Sequence, residues 1–148
     1  MLNAKINVKK LDERAVIPTY GSEYSAGADL YAVLDEEITI KPNETVLIKT
    51  GLAMEIPVGY AGFIFARSGL ASKKGLAPAN KVGVVDADYR GEFMVALHNH
   101  STEERKVEHG ERIAQLVIMP FLKGEFNIVE ELNETKRGEG GFGSTGSK

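Results

Sequence analysis

Short runs in which apolar and polar residues alternate, each ended by a turn, recur through most of this chain. Leu52, Met54 and Ile56 alternate with smaller or charged residues before the turn Pro57–Gly59, and residues 4–8, 37–41, 45–50, 60–66 and 104–109 repeat the pattern. A period of two places every second side chain on one face of an extended strand. Many short strands joined by tight turns predict an all-β domain, a distorted jelly-roll barrel or sandwich.

Only one stretch favours a helix. Residues 67–74, RSGLASKK, could support one or two helical turns, with Ser68 as the N-cap residue. Farther on, Arg112–Met119 is apolar enough to be covered on both faces, so its one amide, Gln115, needs a hydrogen-bonding partner. Glu125–Val129 predicts a further strand.

Residues 137–148 differ from the rest because they are rich in glycine and contain one aromatic residue, Phe142. We expect a single β domain over residues 1–136 and a flexible tail over 137–148, since glycine is costly to order. The tail is either a disordered end or an anion-binding loop. For the second interpretation, the chain offers glycine amides, the Arg137 charge and the hydroxyls of Ser144 and Thr145.

Composition excludes several classes of function. The 148 residues are 43% hydrophobic, which is enough for one folded domain, and the net charge of -3 argues against broad nucleic-acid binding. The chain has no cysteine, so disulfides, thiolate-bound zinc and a cysteine nucleophile are excluded. His98 and His100 could grip a metal, but two ligands without a third favour an ordinary solvated strand end. No leader or membrane-spanning segment is evident, so we expect a soluble cytoplasmic protein that binds no membrane.

The stretch Gly83–Phe93, GVVDADYRGEF, concentrates charged and aromatic groups between glycines. We expect a substrate-binding hairpin with Asp86 at the end of a strand, where a rigidly held carboxylate can act as a general base. The alternative is an Asp-rich surface turn, because aspartate favours turns for local hydrogen-bonding reasons.

Five separated stretches together resemble the dUTPase family. They are AGADLYA (26–32), ARSGLA (66–71), GVVDADYRGE (83–92), RIAQLVI (112–118) and RGEGGFGSTG (137–146). The resemblance implies a homotrimeric jelly-roll enzyme that hydrolyses dUTP to dUMP and pyrophosphate with Mg2+. Such an enzyme limits uracil incorporation into DNA and supplies dUMP for thymidylate synthesis. It also implies that each site is assembled from more than one subunit and that the tail closes over bound nucleotide.

The resemblance also assigns roles to residues of the third motif. Asp86 corresponds to the carboxylate that activates the attacking water, and Tyr89 to the aromatic ring under the deoxyribose. Asn80, with the backbone of Gly83, Val84 and Val85, corresponds to the elements that read uracil, and Met94 to a residue lining the nucleotide site in some members. A core tyrosine is the alternative for Tyr89.

The remaining motifs correspond to phosphate-binding elements. Asp29 resembles an acid that lies near the metal and acts through water or by organising its neighbours. Arg112 and Asp88 are expected to be structural, and Arg90 is expected to form an ion pair at the surface. The groups expected to contact the triphosphate or cover the base are Arg67, Ser68, Gly69, Gln115, Arg137, Phe142, Gly143, Ser144 and Thr145. Lys73, Lys74 and Lys81 have no assigned role.

Two other functions remain open at this stage. The deoxycytidine triphosphate deaminase group shares this fold, although it needs an additional catalytic acid and usually lacks the glycine-rich fifth motif. A non-catalytic regulatory protein could also retain the nucleotide pocket as a switch.

Overall fold

The computed structural model describes residues 3–144 and 146 and contains eleven strands and one helix within them. The strands are β1 Asn7–Lys10, β2 Thr19–Tyr20, β3 Ala28–Tyr31, β4 Ile38–Ile40, β5 Thr45–Glu55, β6 Tyr60–Phe65, β7 Leu76–Pro78, β8 Gly83–Val85, β9 Glu92–Asn99, β10 Arg105–Val107 and β11 Arg112–Pro120. The helix α1 spans Ser68–Lys74. The predicted all-β class with one short helix is confirmed.

The strands form three antiparallel sheets in the described part of the chain. A four-stranded sheet has the order β1-β5-β9-β7, a five-stranded sheet has the order β2-β3-β11-β6-β8, and β10 pairs with β4. Because most neighbours are distant in sequence, the arrangement is of the jelly-roll kind, and the described sheets do not close into one barrel.

The core lies between the sheets and is filled by side chains that alternate along the strands. Phe93, Val95 and Leu97 point inward from β9, each at most 2% exposed, and Leu30 and Ile113 come from the five-stranded sheet. The alternation that predicted the strands therefore also selects the buried face. The predicted strands 45–50 and 52–56 are one strand, β5, with an irregularity near Gly51, whose φ of 69° needs a glycine.

Three local predictions are wrong. Gly83–Phe93 is not a paired hairpin, because β8 pairs with β6 while β9 pairs with β5 and β7 in the other sheet. The eight residues of β9 pair along the eleven-residue β5, a longer partner than the three-residue β8. Arg67, not Ser68, is the N-cap residue of α1, and it makes no side-chain capping bond.

The third wrong prediction is the strand at Glu125–Val129, which is not a strand in this structure. No strand or helix is present from residue 121 to residue 144. Apolar side chains in this segment are exposed, including Leu122, Phe126, Ile128 and Leu132. Strand propensity alone does not suffice, because an extended segment also needs a neighbour to accept and donate its backbone hydrogen bonds. No helix in the described residues is both long and apolar enough to cross a membrane.

Candidate active site

A cavity of about 490 Å³ opens where β3, β6, β11 and the start of α1 meet. Antiparallel pairing places Asp29 of β3 opposite Gln115 of β11, and Gln115 opposite Phe65 at the end of β6. Arg67 follows two residues after Phe65. The lining therefore contains five predicted site residues: Asp29, Arg67, Ser68, Gly69 and Gln115.

Arg67 is held at this cavity by a nearly buried carboxylate. Its Nε donates to Asp29 Oδ1 at 2.8 Å, and Arg112 donates from the other side to Asp29 Oδ2 at 3.3 Å. Asp29 is 9% exposed, so both guanidinium groups meet a carboxylate largely shielded from water. Two charge-assisted contacts fix the carboxylate and orient Arg67, while leaving Arg67 with further N–H groups for an anion.

Gln115 is fixed by a backbone contact and by the absence of a side chain opposite it. Its Nε2 donates to the Ala66 carbonyl at 2.9 Å, which supplies the predicted partner for this amide. A Cβ atom on Gly27 would lie 2.9 Å from Gln115 Cδ and 3.2 Å from Gln115 Cβ, and nearer still to Oε1. Only glycine at position 27 leaves room for this orientation of the amide.

The third-motif residues lie together on the edge strand β8 and the turn that follows it. Gly83 is buried, Val84 is exposed, and the Asn80 amide lies 3.5 Å from where a Cβ on Gly83 would be. Asp86 is exposed at the end of β8, and its carbonyl accepts from the Tyr89 amide at 3.2 Å. The ring of Tyr89 folds back over Gly91, and its hydroxyl donates to the Glu92 carbonyl at 2.9 Å. Tyr89 is 42% exposed, so the core-tyrosine alternative is wrong.

Asp86 and Arg67 are far apart in one chain. Val85 of β8 pairs with Gly62 of β6, so Asp86 lies opposite Ala61. Asp29, which binds Arg67, lies in register with Phe65 at the other end of β6. Its strand, β3, is three strands away from β8 in the sheet. Four residues along the strand direction and three strand spacings across the sheet separate Asp86 from Asp29, and hence from the Arg67 guanidinium bound to Asp29, by about 20 Å. One chain therefore does not bring the predicted base and the predicted phosphate-binding arginine to the same phosphoryl group.

The dUTPase family model matches residues 13–146. A deoxyuridine 5'-triphosphate nucleotidohydrolase of Desulfitobacterium hafniense is 52% identical over 146 residues, covering 98% of this chain and 97% of the relative. The chain belongs to the dUTPase family. A family member from Neisseria meningitidis serogroup B with the same name is 48% identical over 149 residues, covering 99% of both chains.

A solved dUTPase structure is similar over nearly the whole chain. The dUTPase of Staphylococcus bacteriophage 80alpha with dUPNHPP has a TM-score of 0.86 and 32% identity, and the match covers 96% of this chain and 98% of that one. The predicted family, its enzyme class and its fold are thereby confirmed.

The described residues of the fifth dUTPase motif line neither of the two cavities near α1. Arg137 donates from Nε to the Gly140 carbonyl at 2.7 Å, and Phe142 is fully exposed. Gly143 has a φ of 92°, a conformation open to glycine, and the exposed Ser144 follows it. The prediction for Thr145 lies outside the described residues. Met94 is half-buried on β9 and lines neither of the two cavities found near α1.

Several cavity residues escaped sequence reasoning. They are Gly21, Ser25, Ala26, Gly27, Phe65 and Val117. Strand alternation could have found two of them, because Phe65 shares a strand face with Arg67 and Val117 shares one with Gln115. Ala26 and Gly27 belong to the first motif, which could have found them, whereas Gly21 and Ser25 belong to the loop before β3, whose path no local pattern specifies.

The described residues contain no group of three or more His, Cys, Asp or Glu side chains that could hold a metal. His98 instead contacts the Thr45 hydroxyl through Nδ1 at 2.9 Å. Arg90 forms the expected surface ion pair, with Glu55 at 3.3 Å.

Proposed function

We propose that this chain hydrolyses dUTP to dUMP and pyrophosphate, limiting uracil incorporation into DNA and supplying dUMP for thymidylate synthesis. The observation that carries the proposal is the cavity in which Arg67, fixed by Asp29, lies beside Gln115, Ser68 and Gly69. A guanidinium that is already oriented can bind phosphate oxygens without a further ordering cost. The cytoplasm, where deoxynucleotides are consumed, is the proposed place of action.

The uracil-reading group is proposed to be the edge strand β8 with Asn80. Gly83 and Val85 pair with β6, so their backbone is held, and the exposed Val84 and Asn80 border the adjoining surface. Backbone groups fixed in this way can pair with the edge of uracil, exclude the methyl group of thymine and present mismatched donors to cytosine. Tyr89 packs against the deoxyribose, where a 2′-hydroxyl would be crowded, and Met94 is proposed to line the nucleotide site nearby.

We further propose a homotrimer in which each site combines groups from different chains. Both Asp86 and Arg67 must reach one triphosphate, yet they are about 20 Å apart in a single chain, as strand spacing gives. A second copy that places its Asp86 turn beside the cavity removes this conflict. The tail, residues 137–148, would then close over the nucleotide, with Arg137, Gly143, Ser144 and Thr145 on the phosphates and Phe142 on uracil.

The proposed reaction is in-line attack of water on the α-phosphorus. Asp86 accepts a proton from the water as its oxygen bonds to phosphorus, and the bond from the α-phosphorus to the bridging oxygen breaks. Pyrophosphate leaves toward Arg67 and Arg137, whose charges stabilise it. Positioning and charge neutralisation supply most of the rate enhancement in such reactions.

Mg2+ fits this site as a partner of the triphosphate rather than of the chain. Asp29 is the carboxylate in the cavity lining, and both of its oxygens already accept from arginine. Mg2+ keeps several waters and takes phosphate oxygens readily, so Asp29 would contact it through water. When bound, the ion neutralises charge on the leaving diphosphate.

Pyrophosphate release from dUTP, dCTP, dTTP and UTP with Mg2+ tests the activity. We expect turnover of dUTP alone, reduced about 10²–10⁴-fold by Asp86→Asn because a general base is lost. Asp88→Asn, in the same turn, is the matched control and should retain activity. A chain ending before Arg137 should be severely impaired. Binding of dUTP without turnover would favour the regulatory function, and deamination of dCTP would favour the deaminase group.

Mixing two inactive variants tests the shared site. Asp86→Asn and Arg67→Gln each disable every site when alone. After unfolding and refolding together, about a quarter of the sites should have both groups intact, if each site takes Asp86 and Arg67 from different chains. No recovered activity, from mixed trimers shown to have formed, would contradict the shared site.

A further inference from the structure

A second cavity, of about 390 Å³, lies beside the first on the far side of Arg67. Lys73 and Lys74 of α1 line it together with Glu111 of the turn before β11 and Arg112, the first residue of β11. Arg67 lines both cavities. Lys73 and Lys74 are two of the lysines for which the sequence motifs offer no role. The space equals that of about a dozen water molecules, enough for a small hydrated ion.

The lining of the second cavity is strongly basic, although the whole chain carries a net charge of -3. It contains four cationic side chains and one acidic side chain, Glu111. Arg67 and Arg112 share the single carboxylate of Asp29, and Lys73 and Lys74 form no ion pair among the described residues. Like charges this close together repel one another, and a bound anion reduces that repulsion.

The hydrogen bonds at the C-terminal end of α1 do not involve the two lysine side chains. Cations in a last helical turn favour the helix dipole. Three carbonyls near the C-terminus of α1 have partners that are not these lysines: the Gly75 amide donates to the Leu70 and Ala71 carbonyls, and Arg105 Nε donates to the Lys74 carbonyl at 2.8 Å. The two lysine side chains are free to face a ligand.

We propose that the second cavity binds inorganic pyrophosphate as it leaves the catalytic cavity. Arg67 lines both cavities, so it can contact the anion in each of them. Lys73, Lys74 and Arg112 bind the anion in the second cavity. The identity of the anion rests on the proposed function, whereas the existence of a site for a small polyphosphate rests on the basic lining alone.

The test is calorimetric titration of the full chain with sodium pyrophosphate, without nucleotide. We expect two binding events per chain, one of them weakened at least tenfold by Lys73→Gln with Lys74→Gln. The paired control, Lys9→Gln with Lys10→Gln, removes the same charge from β1 and should leave both events unchanged. Gln115→Ala should weaken the other event. In amide NMR spectra, pyrophosphate should shift Gly110 and Glu111, which border the second cavity.

One binding event per chain, equal weakening by both lysine pairs, or shifts confined to Gly27 and Ser68 would each overturn the proposal. Turnover of dUTP is measured on the same preparations. Two pyrophosphate sites without dUTP turnover would refute the proposed function and retain the anion site. Turnover of dUTP with a single pyrophosphate site would support the proposed function and refute the second anion site.

Discussion

Gly27 is expected to control nucleotide binding although it has no side chain. Changing Gly27 to Ala places a methyl group 2.9 Å from Gln115 Cδ and against Oε1. The Gln115 amide must then move or the loop before β3 must shift, and overpacking of this kind costs about 1–3 kcal/mol.

The functional loss follows from the amide that moves. A hydrogen bond from an amide to a charged phosphate contributes about 1.5–3 kcal/mol, so its loss should raise the KM for dUTP about 10- to 100-fold. The Gln115 Nε2 contact with Ala66 breaks in the same movement. The reacting groups are untouched, so kcat should fall much less than KM rises.

A double-mutant cycle separates this effect from general damage. Gln115→Ala removes the two atoms nearest the new methyl group, so adding Gly27→Ala to it should raise KM little further. Gly21→Ala is the matched control, because its Cβ would meet only Ser25 Oγ, at 3.9 Å, on the same cavity. Additive effects of Gly27→Ala and Gln115→Ala on KM would refute the positioning argument.

Two further perturbations test stability. Asn99 is fully buried; its side chain donates to the Ile40 and Glu103 carbonyls and accepts from the Ser101 amide and hydroxyl. Asn99→Ala should therefore lower the free energy of urea unfolding by about 3 kcal/mol. The control His100→Ala, at the exposed neighbouring residue, should not lower it. A small Asn99→Ala effect would show that water replaces the side chain. Hydrogen bonds from Arg14 lower the pKa of Asp12 from 3.8 to about 2, so Asp12 stabilises the fold fully above pH 4 and loses this effect as the pH falls toward 2. The stability difference between wild type and Asp12→Asn should therefore shrink between about pH 4 and pH 2 in acid titrations, and a constant difference would contradict the ion pair.

The sequence predicted those features that depend on local pattern. Alternation located the strands, and the motif residues Arg67 and Gln115 converge on one cavity because β6 and β11 are neighbours. Asp86 directly follows the last residue of β8, so it lies at a strand end as expected.

What could not be predicted depends on which strands pair. β8 pairs with β6 and not with β9, which follows it in the sequence. Local sequence patterns do not show whether a short strand is more stable beside its neighbour in sequence or beside a more distant strand. Likewise, the hydrogen bond from Arg112 to Asp29 joins residues 83 positions apart in the sequence. Through Asp29, Arg112 helps to hold Arg67 at the cavity, a role that local sequence does not reveal. Glu125–Val129 has strand-forming residues, yet no strand of the described chain pairs with it.

The spacing along β6 has a consequence for how activity depends on protein concentration. Under the proposed shared site, a single newly made chain holds every required group and still cannot bring them to one substrate molecule. Specific activity should therefore fall on dilution as assemblies dissociate. A nascent or partly degraded single chain would then not hydrolyse dUTP, and only the assembled enzyme would do so.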